Sequence, residues 1–333
     1  CAARLLGARD RLASHSQNFD VRRLAACTKE KREVFYILCG WMTQKDASAF
    51  QKEIEVDESI YCFIEEGVDH HESEPPVKLK NPRLFKPFEM YVKMYGLPSY
   101  NEMDPTIFVG LTYSLIFGAM FGDVGQGLLL LIGGALLYHF KKITLAAIIS
   151  LAGIFSTFFG FMFGSVFGFE DLIPAVWLKP VEAMTMVPGL GNMNTVFVVA
   201  IVFGMFLILT TMVLHVINAV RAHDIENILF DQNALCGLVF YGSLVAVALL
   251  FLTGHKLPAA VVLGVMFGIP LILIMLKEPL THLVEKKSPV IEGGKVMFFV
   301  QSFFELFEVM LSYLSNTLSF VRIGAFAVSH AAM

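Results

Sequence analysis

The residues with the clearest chemical potential in this sequence lie in its last long apolar stretch, residues 296–333. Polar side chains recur there in alternating steps of four and three, interrupted only at Phe326, a spacing that keeps them on one face of a helix. Small serines at such positions also suit a packed interface between helices, which is the simplest alternative. We call this set the polar stripe, and it comprises Gln301, Glu305, Glu308, Ser312, Ser315, Ser319, Arg322 and Ser329.

Packing alone does not explain Arg322. A guanidinium within an apolar span costs at least a few kcal/mol, cannot lose its proton and needs a partner or water. Glu308 precedes it by 14 residues, which is about 21 Å along a helix, so the two charges cannot pair directly. We therefore interpret Arg322 as functional and expect each charge to meet its own partner, outside this chain or in water that enters from the cytoplasm.

The composition places these residues in a membrane protein. The chain has 333 residues, of which 56% are hydrophobic and only 16% charged, and its mean hydropathy is +0.66. Soluble domains carry about 25% charged residues, so a purely water-soluble protein is excluded. The formal net charge of −4 indicates no basic surface for nucleic acid. The five cysteines show neither CxxC nor metal-ligand spacing, which is typical of a reducing compartment.

Long apolar runs after Asp104 predict seven transmembrane helices, because about 20 apolar residues cross a bilayer. The last run is too long for an upright crossing, since 38 residues extend about 57 Å, and must be tilted, bent or partly outside the bilayer. Lysine and arginine are concentrated on the side of the N-terminal region, which is therefore predicted to be cytoplasmic. The predicted spans are 106–121, 124–140, 143–169, 195–220, 232–255, 257–276 and 296–333.

The polar region before the spans is predicted to have two parts. Residues 1–75 form a cytoplasmic arm, in which 1–33 are either one arm of a long helical hairpin or a solvated surface helix. A small α/β lobe follows, with a strand at Glu33–Trp41, a helix over 46–56 that Asp46 caps, and a strand from Ser59 to Ile64. Residues 76–105 form a linker whose last third lies along the membrane surface.

Small residues around the first predicted hairpin indicate close helix packing. The glycines between residues 122 and 127 do not form a phosphate loop, because no Lys-Ser/Thr pair follows them. The histidine pair at 70–71 is more typical of a solvated acidic linker than of a metal site. We therefore assign no catalytic, cofactor or metal site, and we assign helix packing to Gly122, Asp123, Gly125, Gly127, Gly160 and Gly164.

Two membrane motifs resemble the membrane-embedded stator subunit of V-type and archaeal-type rotary ATPases, called subunit a in eukaryotes and subunit I in prokaryotes. The stretch Met120-Phe-Gly-Asp-Val-Gly-Gln-Gly127 is similar to that family's MFGDVGxG signature. The segment from Ser315 to Arg322, continuing to Ser329-His330-Ala331, is similar to its SHTxSYLRLWALSLAHA stretch. Gly40-Trp41 and the run Tyr95–Tyr100 match less specifically. The resemblance implies eight spans, with the last one and the first part of the arm absent from this sequence.

The resemblance also implies residue roles. Arg322 is then the essential arginine that faces the rotating ring of c or K subunits, and Glu308 matches the acidic residue of the cytoplasmic half-channel. His330 falls at the histidine near the opposite half-channel, and Asn316 stands where the eukaryotic motif has histidine, which favours a prokaryotic plasma membrane. The half-channel lining is then expected from Glu305, Ser312, Ser315, Asn316, Ser319, Ser329 and His330.

The implied function is that of a non-catalytic stator that couples H⁺ or Na⁺ movement to ATP hydrolysis or synthesis on other subunits. Expected partners are the c/K ring, the E/G-type peripheral stalk at the cytoplasmic lobe, the lipid bilayer, and the d/C-type central-stalk subunit as a further candidate. Two rivals remain, a secondary ion transporter and a structural membrane anchor without an ion pathway. The absence of an internal repeat and the concentration of charge in one helix weigh against the transporter.

Overall fold

Helices in the long apolar runs make up most of the regular structure of this chain. The computed structural model describes residues 26–30, 33–37, 40–55, 60–64, 76–169, 172–188, 191–223, 225–256, 258–284 and 295–333. The chain divides into two compact units, Cys1–Pro76 and Val77–Met333, which are described separately.

The first unit contains a β-hairpin followed by a helix. Strands β1 (Ala26–Glu30) and β2 (Glu33–Ile37) pair antiparallel, with Ala26 opposite Ile37 and Glu30 opposite Glu33. Helix α1 (Gln44–Ile54) begins after Thr43, whose Oγ1 accepts a hydrogen bond from the Asp46 backbone N–H at 3.3 Å. The Thr43 hydroxyl in turn donates to the Asp46 carboxylate at 2.7 Å, so Thr43 caps the helix and Asp46 holds the capping hydroxyl in place.

Several predictions for this unit differ from the structure. The helix predicted over 1–33 cannot include 26–30, which are a strand because they have β2 as a pairing partner, and residues 1–25 lie outside the described residues. The cap of α1 is Thr43 rather than Asp46. The strand predicted from Ser59 to Ile64 is wrong for the described residues 60–64, which have no partner strand there and leave Phe63 87% exposed. The histidine pair at 70–71, which we interpret as part of a solvated linker, also lies outside the described residues.

The second unit begins with a segment that packs against the ends of the first apolar helices. A 3₁₀ turn at Lys86–Phe88 leads into α2 (Glu89–Tyr95). The Phe88 side chain is fully buried against Ile148 and Leu151, and its ring meets that of Tyr113 edge-on at 6.2 Å. The middle of the predicted linker therefore packs against the helical domain.

Three apolar helices follow and pack closely together. These are α3 (Thr106–Met120), α4 (Val124–Lys141) and α5 (Thr144–Phe163). A Cβ placed on Gly118 would lie 2.6 Å from the Phe155 carbonyl carbon, and one on Gly127 would lie 2.5 Å from the Thr157 backbone nitrogen. Since real Cβ atoms do not come so close, glycine is what allows these backbones to touch.

A second group of helices completes the apolar domain. Strands β3 (Met184–Val187) and β4 (Gly191–Asn194) form an antiparallel hairpin between α5 and α6 (Thr195–Ala222). The later elements are α7 (Ile225–Leu229), α8 (Leu235–Leu252), α9 (Ala260–Met275), α10 (Lys277–Val284), α11 (Lys295–Ser319) and α12 (Val321–Ala331). Side chains of α6, α8 and α11 share one apolar core, which includes Met212, Phe240, Tyr241, Val309 and Tyr313.

The helices agree with the prediction of a polytopic helical membrane protein. Five of those described are long and apolar enough to cross a bilayer, namely α4, α5, α6, α8 and the combined stretch Met297–Ala331. Helices α3 and α9 are apolar but shorter. The third predicted span, 143–169, ends early, because Gly164 takes a left-handed conformation with φ of 75° and terminates α5 at Phe163.

Candidate functional site

The polar stripe lies on the uncovered side of α11 and α12. Every one of its eight members, together with Asn316, is exposed in this chain. Within the stripe, Gln301 Nε2 donates to Glu305 Oε1 at 3.1 Å, and Asn316 Nδ2 donates to Ser312 Oγ at 3.3 Å. The helix therefore presents polar and charged groups away from the other helices.

The opposite side of the same helices is buried. It carries Ser302, Val309, Tyr313 and Thr317 on α11, and Ile323 and Ala327 on α12. Tyr241 of α8, which is fully buried, has its hydroxyl 2.8 Å from Thr317 Oγ1. The Tyr313 hydroxyl donates to the carbonyl of Gln232, just before α8. These contacts set the rotation of α11 and thereby the direction in which the polar stripe points.

The long helix is interrupted at Phe320, two residues before Arg322. The regular bonding pattern changes there, since the Phe320 N–H donates to the Thr317 carbonyl at 3.3 Å and Ile323 N–H donates to the Phe320 carbonyl at 3.0 Å. The Phe320 side chain lies directly on Gly204 of α6, where an added Cβ would be 2.7 Å from the Phe320 Cβ. The last predicted span is thus two helices that are separated at Phe320, immediately before the arginine.

Asp123 holds together the turn that connects α3 to α4. Its carboxylate is fully buried and accepts hydrogen bonds from the backbone N–H groups of Gln126, Phe167 and Gly168 at 2.8–2.9 Å, and from Ser165 Oγ at 2.9 Å. These bonds join the start of α4 to the loop after α5. A Cβ on Gly160 would lie 2.5 Å from the Asp123 carbonyl carbon, so the glycine leaves room for this turn.

His330 lies beside the same turn. Its ring meets that of Phe121 edge-on at 5.7 Å, and its buried Nε2 has no hydrogen-bond partner among the described residues. A small cavity touches both His330 and Ser165, together with Gly122. The structure therefore brings the two sequence motifs into one neighbourhood, while Arg322 and Glu308 point outward from α12 and α11.

A charged cluster that sequence reasoning missed lies before α8. Asp231 Oδ1 accepts a hydrogen bond from Lys277 Nζ at 2.9 Å, and Asp231 Oδ2 lies 3.7 Å from His215 Nε2. Because His215 lies in α6 and Lys277 begins α10, these contacts connect both helices to the loop before α8. Burial opposes the charge on Asp231, but the Lys277 bond, the Asn233 backbone N–H and the nearby ammonium outweigh it and hold the pKa of this carboxyl below its ordinary value. The available signal was an acid directly before an apolar run.

The described residues contain no group of three or more His, Cys, Asp or Glu side chains that could hold a metal ion. The exposed Arg322 offers electrostatic chemistry. A permanently charged guanidinium on an exposed apolar helix attracts anionic groups of a neighbour, and it cannot act as a proton donor or acceptor at physiological pH.

Comparison with known proteins supplies the family. Residues 21–177 match the V-type ATPase 116kDa subunit family. The A-type ATP synthase subunit I of Pyrococcus horikoshii is 30% identical over 310 residues, which is 90% of this chain and 43% of that protein. The same subunit of Aeropyrum pernix is 29% identical over 333 residues, covering 89% of this chain and 47% of the relative. The V-type ATP synthase subunit I 2 of Treponema pallidum is 30% identical over 200 residues, covering 54% and 43% respectively.

The chain thus spans less than half the length of these curated relatives. The two archaeal relatives nevertheless match about nine-tenths of this sequence, and the family match contains the motif around Asp123. The resemblance predicted from the sequence is confirmed, since residues 21–177 match the V-type ATPase 116kDa subunit family and the chain is a homologue of the A-type ATP synthase subunit I.

Proposed function

We propose that this chain is the membrane stator of a rotary V/A-type ATPase and that its polar stripe faces the rotating c/K ring. The observation that carries the proposal is the exposure of Arg322 and the rest of the stripe on helices whose opposite side is buried. An arginine that faces hydrocarbon is costly, so a partner or water must cover it in the membrane. A ring of helices with ion-binding carboxylates fits this requirement.

The electrostatic role of Arg322 follows from its permanent charge. As a ring carboxylate approaches, the guanidinium favours the ionised form and lowers the affinity of that carboxylate for H⁺ or Na⁺. The ion is released on one side of the arginine, and a new ion binds after the carboxylate has passed. Arg322 in this way separates two half-channels and prevents a direct leak between them.

The half-channels are assigned by position along the helices. Glu308 lies about 21 Å before Arg322 along the helix, on the side predicted to be cytoplasmic, with Glu305, Ser312, Ser315, Asn316 and Ser319 between or beside them. Ser329 and His330 follow on the opposite side. The interruption at Phe320 separates the segment that carries Arg322 from α11.

The remaining assignments concern organisation and assembly. We assign residues 1–75 to a cytoplasmic arm that contacts the peripheral stalk, 76–105 to a linker, and 106–333 to seven spans with the N-terminal region cytoplasmic. The subunit carries no ATP chemistry of its own, which belongs to other subunits of the complex.

Ion uptake into vesicles that contain the full complex tests this function. We expect Arg322→Gln and Arg322→Lys each to reduce ATP-driven uptake by at least about ten-fold, because lysine lacks the planar guanidinium. Separate arms with a pH dye and with labelled Na⁺ identify the ion. The matched control is Arg221→Gln, since Arg221 is also exposed but lies in the last turn of α6.

Co-purification of the other subunits with each variant shows whether the complex has assembled. Normal assembly with lost uptake supports the stator role. Uptake at the wild-type rate in Arg322→Gln would leave the structural anchor as the better explanation and would overturn the proposal.

A further inference from the structure

The helical domain contains an apolar cavity on the buried side of α12. It has a volume of about 170 Å³ and lies between α3, α5, α6 and α12. Ile323, the residue after Arg322, forms part of its wall. Every side chain that lines it within the described part of the chain is hydrocarbon or aromatic, including Leu115, Phe159, Ala200 and Phe203.

Water is a poor occupant for this space. A buried water needs two to four polar partners, and the walls offer none beyond the indole N–H of Trp177. An empty cavity is also unfavourable, because the wall atoms then lose dispersion contacts. An apolar cavity of about 150 Å³ is large enough to hold one benzene ring, so the space suits a short hydrocarbon segment.

The position of the cavity indicates where that hydrocarbon comes from. Two of the lining residues are exposed, Val199 at 38% and Trp177 at 47%, so we place the opening of the cavity between them. Val196 stands in the first turn of α6 and Phe203 two turns deeper, about 10 Å along the helix. The cavity thus extends inward from a helix end, with a half-exposed tryptophan of the kind that marks the headgroup level.

We propose that this cavity binds part of the acyl chain of a membrane phospholipid, inserted from the bilayer through the opening between Val199 and Trp177. The stacked rings of Phe163 and Trp177, with centroids 6.2 Å apart, form one wall of the site. The occupant fills the space behind Ile323 and supports the helix segment that carries Arg322. The site does not depend on the role assigned to that arginine.

Photolabelling of the complete complex tests the site. The complex is reconstituted in phosphatidylcholine vesicles that include a phosphatidylcholine with a diazirine midway along one acyl chain, and adducts are located by mass spectrometry. We expect adducts on Phe159 and Phe203 and about five-fold fewer in Ala200→Phe, because a phenyl ring then occupies the space in a close-packed interior. The control is Leu129→Phe, because Leu129 lies on the outward face of α4 and is 63% exposed. This substitution should leave the adducts on Phe159 and Phe203 unchanged.

A second variant covers the case in which Ala200→Phe does not assemble. Val199→Phe narrows the opening from an exposed position and should reduce the same adducts. Equal labelling of Phe159 and Phe203 in wild type and in the assembled variants would overturn the proposal. So would an adduct yield on these residues no greater than on the side chains of the outward α4 face.

Discussion

The hydroxyl of Tyr241 lies 2.8 Å from Thr317 Oγ1, and both side chains are buried where α8 crosses α11. Thr317 Oγ1 is also 2.7 Å from the carbonyl of Tyr313 in its own helix. A threonine hydroxyl has one hydrogen, so Thr317 donates to that carbonyl and accepts from Tyr241. The bond anchors α11 five residues before Arg322 and holds the polar stripe outward.

Removing the Tyr241 hydroxyl should weaken the contact between α8 and α11. We expect Tyr241→Phe to destabilise the protein by about 0.5–1.5 kcal/mol, since a hydrogen bond between membrane helices contributes about that much. A double-mutant cycle with Thr317→Val, followed by thermal unfolding in detergent, measures the coupling. The matched control is Tyr138→Phe on the exposed surface of α4. Additive effects of Tyr241→Phe and Thr317→Val would contradict the assigned bond.

The contact between Gly204 and Phe320 makes a second prediction. A Cβ at Gly204 has no room beside the Phe320 side chain, so Gly204→Ala must displace Phe320 and the break that precedes Arg322. We expect a loss of about 1–3 kcal/mol in stability, the usual cost of overpacking, and reduced ion uptake by the complex. Gly242→Ala is the control, because the nearest atom to its added Cβ is 3.9 Å away. Similar melting temperatures for the two alanine variants would argue against the packing described.

The hydrogen bonds of Asp123 predict that two substitutions lower the stability of the protein to different degrees. Ser165→Ala removes one of its four donors and should cost about 1–3 kcal/mol. Asp123→Ala leaves the N–H groups of Gln126, Phe167 and Gly168 without their acceptor, and should prevent stable folding or assembly. Yield and melting temperature of the purified subunit measure both effects. An Asp123→Ala protein as stable as Ser165→Ala would show that the carboxylate does not hold the turn.

The lowered pKa of Asp231 predicts a pH-dependent contribution to stability. A carboxyl whose folded pKa is depressed stabilises the fold above its unfolded value of about 3.9, and this stabilisation is lost as pH falls through the folded pKa. Asp231→Asn should therefore lower the melting temperature at pH 7, and its difference from wild type should shrink once the pH falls below about 4.

Melting temperatures in detergent from neutral to acidic pH check this, with Glu182→Gln as a control at an exposed acid. If the difference in melting temperature between Asp231→Asn and wild type stays constant across the pH series, Asp231 stabilises the fold through packing rather than through its charge.

The membrane class, the positions of the apolar helices and the polar stripe of the last helix could be predicted from the sequence. Apolar length and helical periodicity are local properties, so a bilayer-length run or a four-and-three spacing is visible before any contact is known. The motifs around Asp123 and Arg322 also carried the family, which the comparisons confirmed.

Tertiary structure decided what depends on neighbours that are distant in sequence. Glycine at position 204 permits the close approach of Phe320 beside the interruption before Arg322. Asp231 is charged in a partly buried place because the Lys277 ammonium donates a hydrogen bond to it. The same reason explains the error at residues 60–64, where β-forming side chains have no strand to pair with among the described residues. Burial on one side of α11 then determines that its polar stripe points outward, which spacing alone could not show.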